Sequence, residues 1–199
     1  MPKRIDHEKR KEQILKTALD IFGKEGYKDS NLSLIAEACG ISRPTIYQYF
    51  KDKEEIYYYA VKLVTGRMFS RYVVWAWDEQ RGDAIDRINL ICDDIITQAV
   101  SSEGELQSLM DVMLHLKREN VDFSEVIVKR TIKLTILIKR LLLDGIHKGT
   151  VKEDTDINMV ASHLFTLLEA FCFQIAFLGN FDLGSSKNFV STYLNFFKK

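Results

Sequence analysis

Proline is nearly missing from this chain of 199 residues, which contains only Pro2 and Pro44. Because proline interrupts helix interiors, the whole stretch after Pro44 is free to form long helices. The chain also lacks a net charge, with 28 Lys and Arg against 28 Asp and Glu. These charges are unevenly placed, since residues 1–53 carry 11 basic and 8 acidic side chains. A surface that binds phosphate is therefore expected at the N-terminal end.

Cysteine is scarce, and Cys39, Cys92 and Cys172 are too far apart to form a CxxC pair. Each lies in an apolar helical pattern, so we interpret all three as free thiols rather than as a metal or redox site. The sequence also lacks the GxSxG, HExxH, P-loop and dinucleotide-binding patterns. We therefore expect no catalytic residues, no cofactor and no metal site, which argues against an enzyme.

An apolar h-region is missing from the charged N-terminus, so no secretory signal is expected. One later segment, residues 160–178, is apolar and long enough to span a bilayer. Four polar residues interrupt it, namely Ser162, His163, Glu169 and Gln174. Because a carboxylate and an imidazole are costly in lipid, we interpret this segment as a buried interface helix rather than a membrane span. A cytoplasmic protein without a membrane partner is predicted.

Apolar residues recur at helical spacing almost from end to end, and no segment alternates as a strand does. We count about nine helices, which predicts an all-α fold. Asn31 is suited to cap a short helix over 32–39. Asp52 and Glu55 have the spacing of a capping box, which predicts a long helix from Asp52 to about Trp77.

Residues 32–50 read LSLIAEACGISRPTIYQYF and are the most informative stretch. Two helices that cross closely need a small residue where they meet, and Ala36 supplies it. Gly40 suits the tight turn, which needs a residue that tolerates a positive φ. The apolar positions that seal the pair are Ile35, Ile41 and Ile46. With Ser42 as the cap of a second short helix over 43–50, this spacing predicts a helix-turn-helix.

The segment from Arg10 to Glu55 resembles the tetracycline-repressor (TetR) family of bacterial regulators. The residues that carry the resemblance are Ile14, Ala18, Phe22, Gly26-Tyr27, Ile35-Ala36, Ala38, Gly40-Ile41-Ser42, Thr45-Ile46-Tyr47, Tyr49-Phe50, Lys53 and Glu54. One departure is Ser30-Asn31, where the family usually has two threonines. The resemblance implies a three-helix DNA-binding domain over residues 1–53 and a helical ligand-binding and dimerisation domain over residues 54–199.

The resemblance also implies contacts to double-stranded DNA. Arg43, Thr45 and Gln48 would read base edges, and Arg pairs well with guanine and Gln with adenine. Contacts to the sugar-phosphate backbone are implied for Asn31, Tyr47, Tyr49 and Lys53. Additional phosphate contacts are expected from the basic residues of the N-terminus, which are Lys3, Arg4, Arg10 and Lys11.

An effector pocket is implied for the C-terminal part. Met68, Tyr72 and Trp75 share one face of the fourth helix because they are spaced i, i+4 and i+7. The other candidate lining residues are Met110, Met113, Phe165 and Glu169. Such a lining suits a small, largely apolar effector, including a cationic one. The alternative is that these residues are plain core.

The last two helices are apolar over too wide a face for a monomer, which indicates an interface. In the resembling family the last two helices of each subunit form a four-helix dimer bundle. A homodimer would read a palindromic operator whose half-sites are about 34–36 Å apart. Repression relieved by the effector is adopted as the mode of action, and an interaction module without DNA binding stays open as the other alternative.

Overall fold

The computed structural model describes residues 6–118 and 124–199, and over these residues the chain forms nine α-helices. They are α1 (His7–Glu25), α2 (Leu32–Ala38), α3 (Arg43–Ile46), α4 (Lys53–Trp77), α5 (Ala84–Ser101), α6 (Glu103–Arg118), α7 (Ser124–His147), α8 (Ile157–Phe177) and α9 (Leu183–Asn195). The described part contains no strand, only one isolated β-bridge between Val151 and Lys198. The predicted all-α fold of about nine helices is confirmed.

Short oxygen-bearing side chains start the helices as the sequence predicts. Asn31 Oδ1 accepts the N–H of Leu34 at 3.0 Å, and Ser42 Oγ accepts that of Thr45 at 3.3 Å. Asp52 Oδ1 accepts the N–H of Glu55 at 2.7 Å, which opens α4. Each bond satisfies a donor that the first helical turn leaves without a partner. The return bond of the predicted capping box differs, because the Glu55 carboxylate accepts the N–H of Lys51 at 2.8 Å instead of that of Asp52.

Two local predictions need correction. The helix predicted over 43–50 ends at Ile46, because residues 47–49 continue as a turn. In this turn the N–H groups of Gln48 and Tyr49 bond the carbonyls three residues earlier, at 3.1 and 3.0 Å, which tightens the backbone. The sequence reading also missed a short 3₁₀ helix, Glu79–Arg81, which Asp78 caps after the end of α4.

One compact unit consists of Met1–Arg67 and Gln107–Val126. Its core contains a cluster of three aromatic rings in tilted and edge-to-face contact, with centroids 5.2 Å apart for Phe22 and Tyr27 and 5.7 Å apart for Tyr27 and Tyr57. The Tyr57 hydroxyl donates to the carbonyl of Leu109 in α6 at 3.1 Å. Buried aliphatic and aromatic side chains complete this core, among them Ile14, Ile35, Ile46, Phe50 and Ile56. Each buried side chain of this size contributes about 1.5–3 kcal/mol to stability.

The other compact unit consists of Met68–Leu106 and Ile127–Lys199. Its centre is α5, which packs against both α8 and α9. The buried side chains of α5 are Ala84, Ile85, Arg87, Ile88, Ile91, Cys92 and Ile96. The division into units falls inside α4, α6 and α7, so these helices are continuous from one unit to the other. The functional assignment of residues 1–53 and 54–199 stays a prediction.

A buried arginine ties three elements of the second unit together. Arg87, which is 2% exposed, donates to the carbonyl of Ala76 at 2.7 Å and to that of Asp83 at 3.1 Å. Its second Nη lies 3.3 Å from Asp144 Oδ2. The end of α4, the start of α5 and the last turns of α7 are thereby joined, and every guanidinium nitrogen has a partner, as a buried charge requires.

The apolar segment singled out in the sequence forms α8, which has 21 residues and a mean hydropathy of 1.5. By length and composition alone it is a candidate membrane span. Seven of its residues are buried, and five of them pack into the core of the second unit: Val160, Ala161, Leu164, Leu168 and Phe171. One side of α8 therefore belongs to a protein core, and the burial of its other side in an interface stays a prediction.

The three cysteines are free, with Cys39 and Cys92 buried and Cys172 half-buried. Burial raises the pKa of the Cys92 thiol to about 12. A protonated, enclosed thiol is a poor nucleophile, which agrees with the interpretation of Cys92 as a free thiol without a redox role.

A glycine near the end of α7 gives a test of the packing. A Cβ at Gly145 would lie 2.7 Å from the Ala84 Cβ and would also overlap the Val151 side chain. We expect Gly145→Ala to lower the free energy of unfolding by about 1–3 kcal/mol, the usual cost of overpacking. Chemical denaturation measures this change.

The matched control is Gly66→Ala, in the interior of α4, where an added Cβ meets nothing within 4 Å. Both substitutions gain helix propensity, so Gly66→Ala should stabilise the protein by about 0.5–1 kcal/mol. Equal effects of the two substitutions would show that Gly145 is not tightly packed.

Candidate nucleic-acid interface

An open groove of about 580 Å³ lies in the first unit, beside α2, α3 and the start of α4. It is lined by Ser30, Asn31, Leu32, Ser33, Arg43, Tyr47, Lys51, Asp52, Lys53 and Glu54. Four of the seven predicted DNA contacts, Asn31, Arg43, Tyr47 and Lys53, are therefore collected in one place. This groove is the candidate interface.

The turn between α2 and α3 has the geometry predicted from the sequence. Gly40 has φ of +64°, in the left-handed region that favours glycine. The N–H of Ile41 donates to the Ala36 carbonyl at 3.0 Å, which closes the turn. Ile35, Ala36 and Ile46 are buried where the helices cross, whereas Ile41 is only half-buried. The two helices are thus a helix-turn-helix, sealed mainly by Ile35 and Ile46.

The outward side of this motif holds the predicted base-reading residues. Arg43 and Gln48 are exposed, and Tyr47 is 48% exposed although it is a large aromatic side chain. Thr45 is half-buried, and its hydroxyl lies 2.7 Å from that of Ser42, in a hydrogen bond within the cap. Arg43, Tyr47 and Gln48 are therefore available to a partner, and their contacts with DNA stay predictions.

Tyr49 faces the first helix. Its hydroxyl lies 3.2 Å from His7 Nδ1, and the two rings are 5.8 Å apart. One turn later on α1, the Lys11 ammonium lies over the rings of Tyr59 and Phe50, at 4.3 and 5.5 Å. These contacts hold the start of α1 against the end of the motif. Lys3 and Arg4 lie outside the described residues.

Lys53 is engaged within the unit. Its ammonium donates to the carbonyls of Tyr27, Lys28 and Ser30, at 2.9, 3.3 and 3.3 Å. It also lies 4.4 Å from the centre of the Tyr27 ring. Asn31 uses its side-chain oxygen to cap α2, which leaves its amide nitrogen as a donor.

Lys51 and Ser33 line the groove but were not predicted from the sequence. Both are exposed, and the Lys51 side chain retains 76% of its accessible surface. Lys51 stands directly before the α4 cap at Asp52, but this position alone does not predict a DNA contact. A lysine in a surface loop has no spacing that distinguishes it from other solvated lysines, and only the groove does so.

The predicted effector residues fall in different parts of the molecule. In the second unit Tyr72 is buried, Trp75 and Met68 pack half-buried against the core, and Phe165 is half-buried. The Tyr72 hydroxyl donates to Asp94 Oδ2 at 2.9 Å, and the Arg71 guanidinium also bonds that oxygen. Met110 and Met113 belong to the first unit and are half-buried.

Glu169 occupies an outward position on α8. Partial burial raises the pKa of its carboxyl. The role of Glu169 in effector binding stays a prediction. Within the described residues no group of three His, Cys, Asp or Glu side chains is placed to hold a metal ion.

Comparison with known sequences agrees with this geometry. Residues 14–59 match the family model described as bacterial regulatory proteins, tetR family. The fatty acid metabolism regulator protein of Bacillus subtilis (strain 168) is 24% identical over 157 residues, which cover 79% of this chain and 78% of that protein. The match to the family model contains the whole helix-turn-helix and the start of α4.

Solved structures share the fold. A TetR transcription regulator from Haloarcula marismortui has a TM-score of 0.82 at 18% identity, over 96% of this chain and all of that one, 100%. The transcriptional regulator FadR from Bacillus subtilis, in complex with stearoyl-CoA, has a TM-score of 0.74 at 23% identity, over 92% of this chain and 96% of that one. The helical domain after the motif is therefore shared as well.

The motif, the groove and the following helical domain define a DNA-binding transcriptional regulator. The segment over residues 14–59 is that of the tetR family of bacterial regulatory proteins. Regulators of this family act as DNA-binding repressors that small-molecule ligands release. The prediction of a ligand-released, DNA-binding regulator is confirmed.

Proposed function

We propose that this regulator is a cytoplasmic homodimer without enzymatic activity that represses transcription from a palindromic operator. The observation that carries this proposal is the groove, where exposed Arg43, Tyr47 and Lys51 meet beside a helix-turn-helix. Residues 1–53 would supply the DNA contacts and residues 54–199 the dimer contacts and the effector site. Two grooves related by a two-fold axis would read two half-sites about one helical turn apart.

Within the motif, Arg43 is the strongest candidate for base readout. It stands in the first turn of α3, directly after the Ser42 cap, and is exposed. A guanidinium there can form a bidentate contact with guanine in the major groove. Gln48 and Thr45 would contribute further base contacts, and Asn31, Tyr47 and Tyr49 would contact the backbone.

We expect Arg43→Ala to weaken operator binding by about 1–3 kcal/mol and to relax base preference at one position of each half-site. The measurement is a binding titration on an operator fragment that the wild-type protein selects from random-sequence DNA.

Arg140→Ala is the matched control. Arg140 is an exposed arginine on α7, in the second unit, so its removal changes the net charge equally. If both substitutions weaken binding by the same factor, only overall charge is involved and Arg43 reads no base.

The dimer proposal rests on the outward face of α8 and α9. Large apolar side chains are exposed along it, with Phe173 54%, Phe177 52% and Phe189 57% exposed. Exposed apolar patches of this kind mark protein interfaces. A second copy of the chain is the proposed partner because a palindromic operator needs two motifs.

We expect Phe173→Asp to convert the dimer into a monomer, because a carboxylate would be buried without a partner at the interface. Size-exclusion chromatography with light-scattering detection measures the mass of the particle directly. Ile132→Asp is the control. Ile132 is 49% exposed and belongs to α7, not to the helices α8 and α9 that form the proposed face. A dimer that survives Phe173→Asp, or dissociates with Ile132→Asp alone, would contradict the proposed interface.

The effector is proposed to be a long-chain acyl-CoA. The relative from Bacillus subtilis is a fatty acid metabolism regulator, and the FadR structure contains stearoyl-CoA. In this chain Tyr72 is buried in the core of the second unit, and Met68 and Trp75 pack half-buried against it. The guanidinium groups of Arg71 and Arg81 lie 5.2 and 5.1 Å from the Trp75 ring. Both guanidinium groups pair with carboxylates, those of Asp94 and Asp78, so the proposal rests on the two comparisons and on the apolar residues rather than on a free anion site.

We expect stearoyl-CoA to weaken operator binding by a coupling free energy of about 1–3 kcal/mol, and operator DNA to weaken stearoyl-CoA binding equally. Both affinities are measured by titration, with CoA and stearate as separate controls.

The two tryptophans of the chain provide a matched pair for this test. Trp75→Leu should reduce the response to stearoyl-CoA, whereas Trp77→Leu, at an exposed position of the same helix, should not. An operator affinity that stearoyl-CoA leaves unchanged at saturation would exclude it as the effector.

A further inference from the structure

The lysines at the start of α4 have different surroundings. Lys53 is half-buried, with its ammonium on three backbone carbonyls and over one aromatic ring. Lys51 is two residues earlier, with 76% of its side chain accessible. Its ammonium forms an ion pair with the neighbouring Asp52, at 3.6 Å on the surface. Both lysines line the same groove.

The hydrogen-bonding capacity of Lys53 is fully used. An ammonium group has three hydrogens and no acceptor, and here three carbonyls lie within 3.3 Å. A phosphate oxygen could bind this ammonium only by displacing one of them. The nearest carbonyl, that of Tyr27, also accepts the Ser30 hydroxyl at 2.7 Å, so this cluster holds itself together.

The carbonyls that Lys53 binds lie directly before α2. Residues 27–30 form the loop from α1, and Asn31 then caps α2. The buried side of α2, with Ile35 and Ala36, packs at the crossing with α3. Because Lys53 holds this loop on α4, it also fixes the start of α2. Through α2 it fixes the position of α3, the helix that carries Arg43.

We propose that Lys53 is a positioning residue that sets the helix-turn-helix on α4, and that Lys51 is the lysine of this groove that meets a DNA phosphate. This assignment rests on the proposed DNA binding at the groove. It gives the two lysines separate measurable effects, because only a cation on a phosphate releases a counterion from the DNA.

The test compares Lys51→Met and Lys53→Met in the full chain. The probes are the operator fragment selected by the wild-type protein and a random duplex of equal length. Affinities are measured over a series of salt concentrations, below the melting temperature of each variant. If the wild-type protein binds neither duplex, the proposed function itself fails and the roles of the lysines do not arise.

Lys51→Met should lower the slope of log K against log salt by about 0.9 for each subunit bound and weaken both duplexes by a similar factor. Lys53→Met should leave the slope unchanged and weaken the operator roughly tenfold, with a smaller effect on the random duplex. A slope that falls as much with Lys53→Met as with Lys51→Met would overturn the assignment. The assignment would also be overturned if the folded Lys53→Met variant bound the operator as tightly as the wild type does.

Lys53→Arg keeps the assignment testable if Lys53→Met fails to fold. It keeps the charge, but a planar guanidinium does not converge on three carbonyls as an ammonium does. We expect Lys53→Arg to keep the wild-type slope of log K against log salt and to bind the operator more weakly than the wild type. Operator affinity restored to the wild-type value would show that charge alone matters and would overturn the positioning role.

Discussion

The burial of α3 against its neighbours is the constraint on which the DNA-binding unit depends. A helix of four residues has no stability of its own, because nucleation costs more than so few hydrogen bonds return. Its place is set by two fully buried side chains, Ile46 within it and Phe50 just after it. The turn at residues 47–49 aims Phe50 inward, while Arg43, Tyr47 and Gln48 stay outside. The exposed surface of the motif is thus a consequence of how its inner side is packed.

Electrostatics in this unit is decided by contacts rather than by composition. The net charge of the chain is zero, so attraction to DNA must come from local placement. Lys53 and Lys11 are used within the unit, on carbonyls and aromatic rings, whereas Lys51 and Arg43 remain exposed. The basic residues of this unit thus divide into those that fix its structure and those that are free to bind a partner.

In the second unit, the same helices serve a core and an outward surface. One side of α8 packs against α5, and its other side presents Phe173 and Phe177. The buried Arg87 joins α4, α5 and α7 through backbone and carboxylate acceptors. The helix α4 begins beside the groove and ends at this network. One continuous helix therefore connects the DNA-binding residues to the C-terminal ones.

The sequence by itself determined the features that depend on near neighbours in the chain. The caps at Asn31, Ser42 and Asp52 and the left-handed turn at Gly40 were predictable because cap and turn preferences act over a few residues. Tertiary structure decided what depends on distant residues. Lys53 binds carbonyls 23 to 26 residues earlier, and Glu169 lies on an outward face, which helical spacing alone does not tell. Helical periodicity tells which residues share a face, but only packing decides what that face meets.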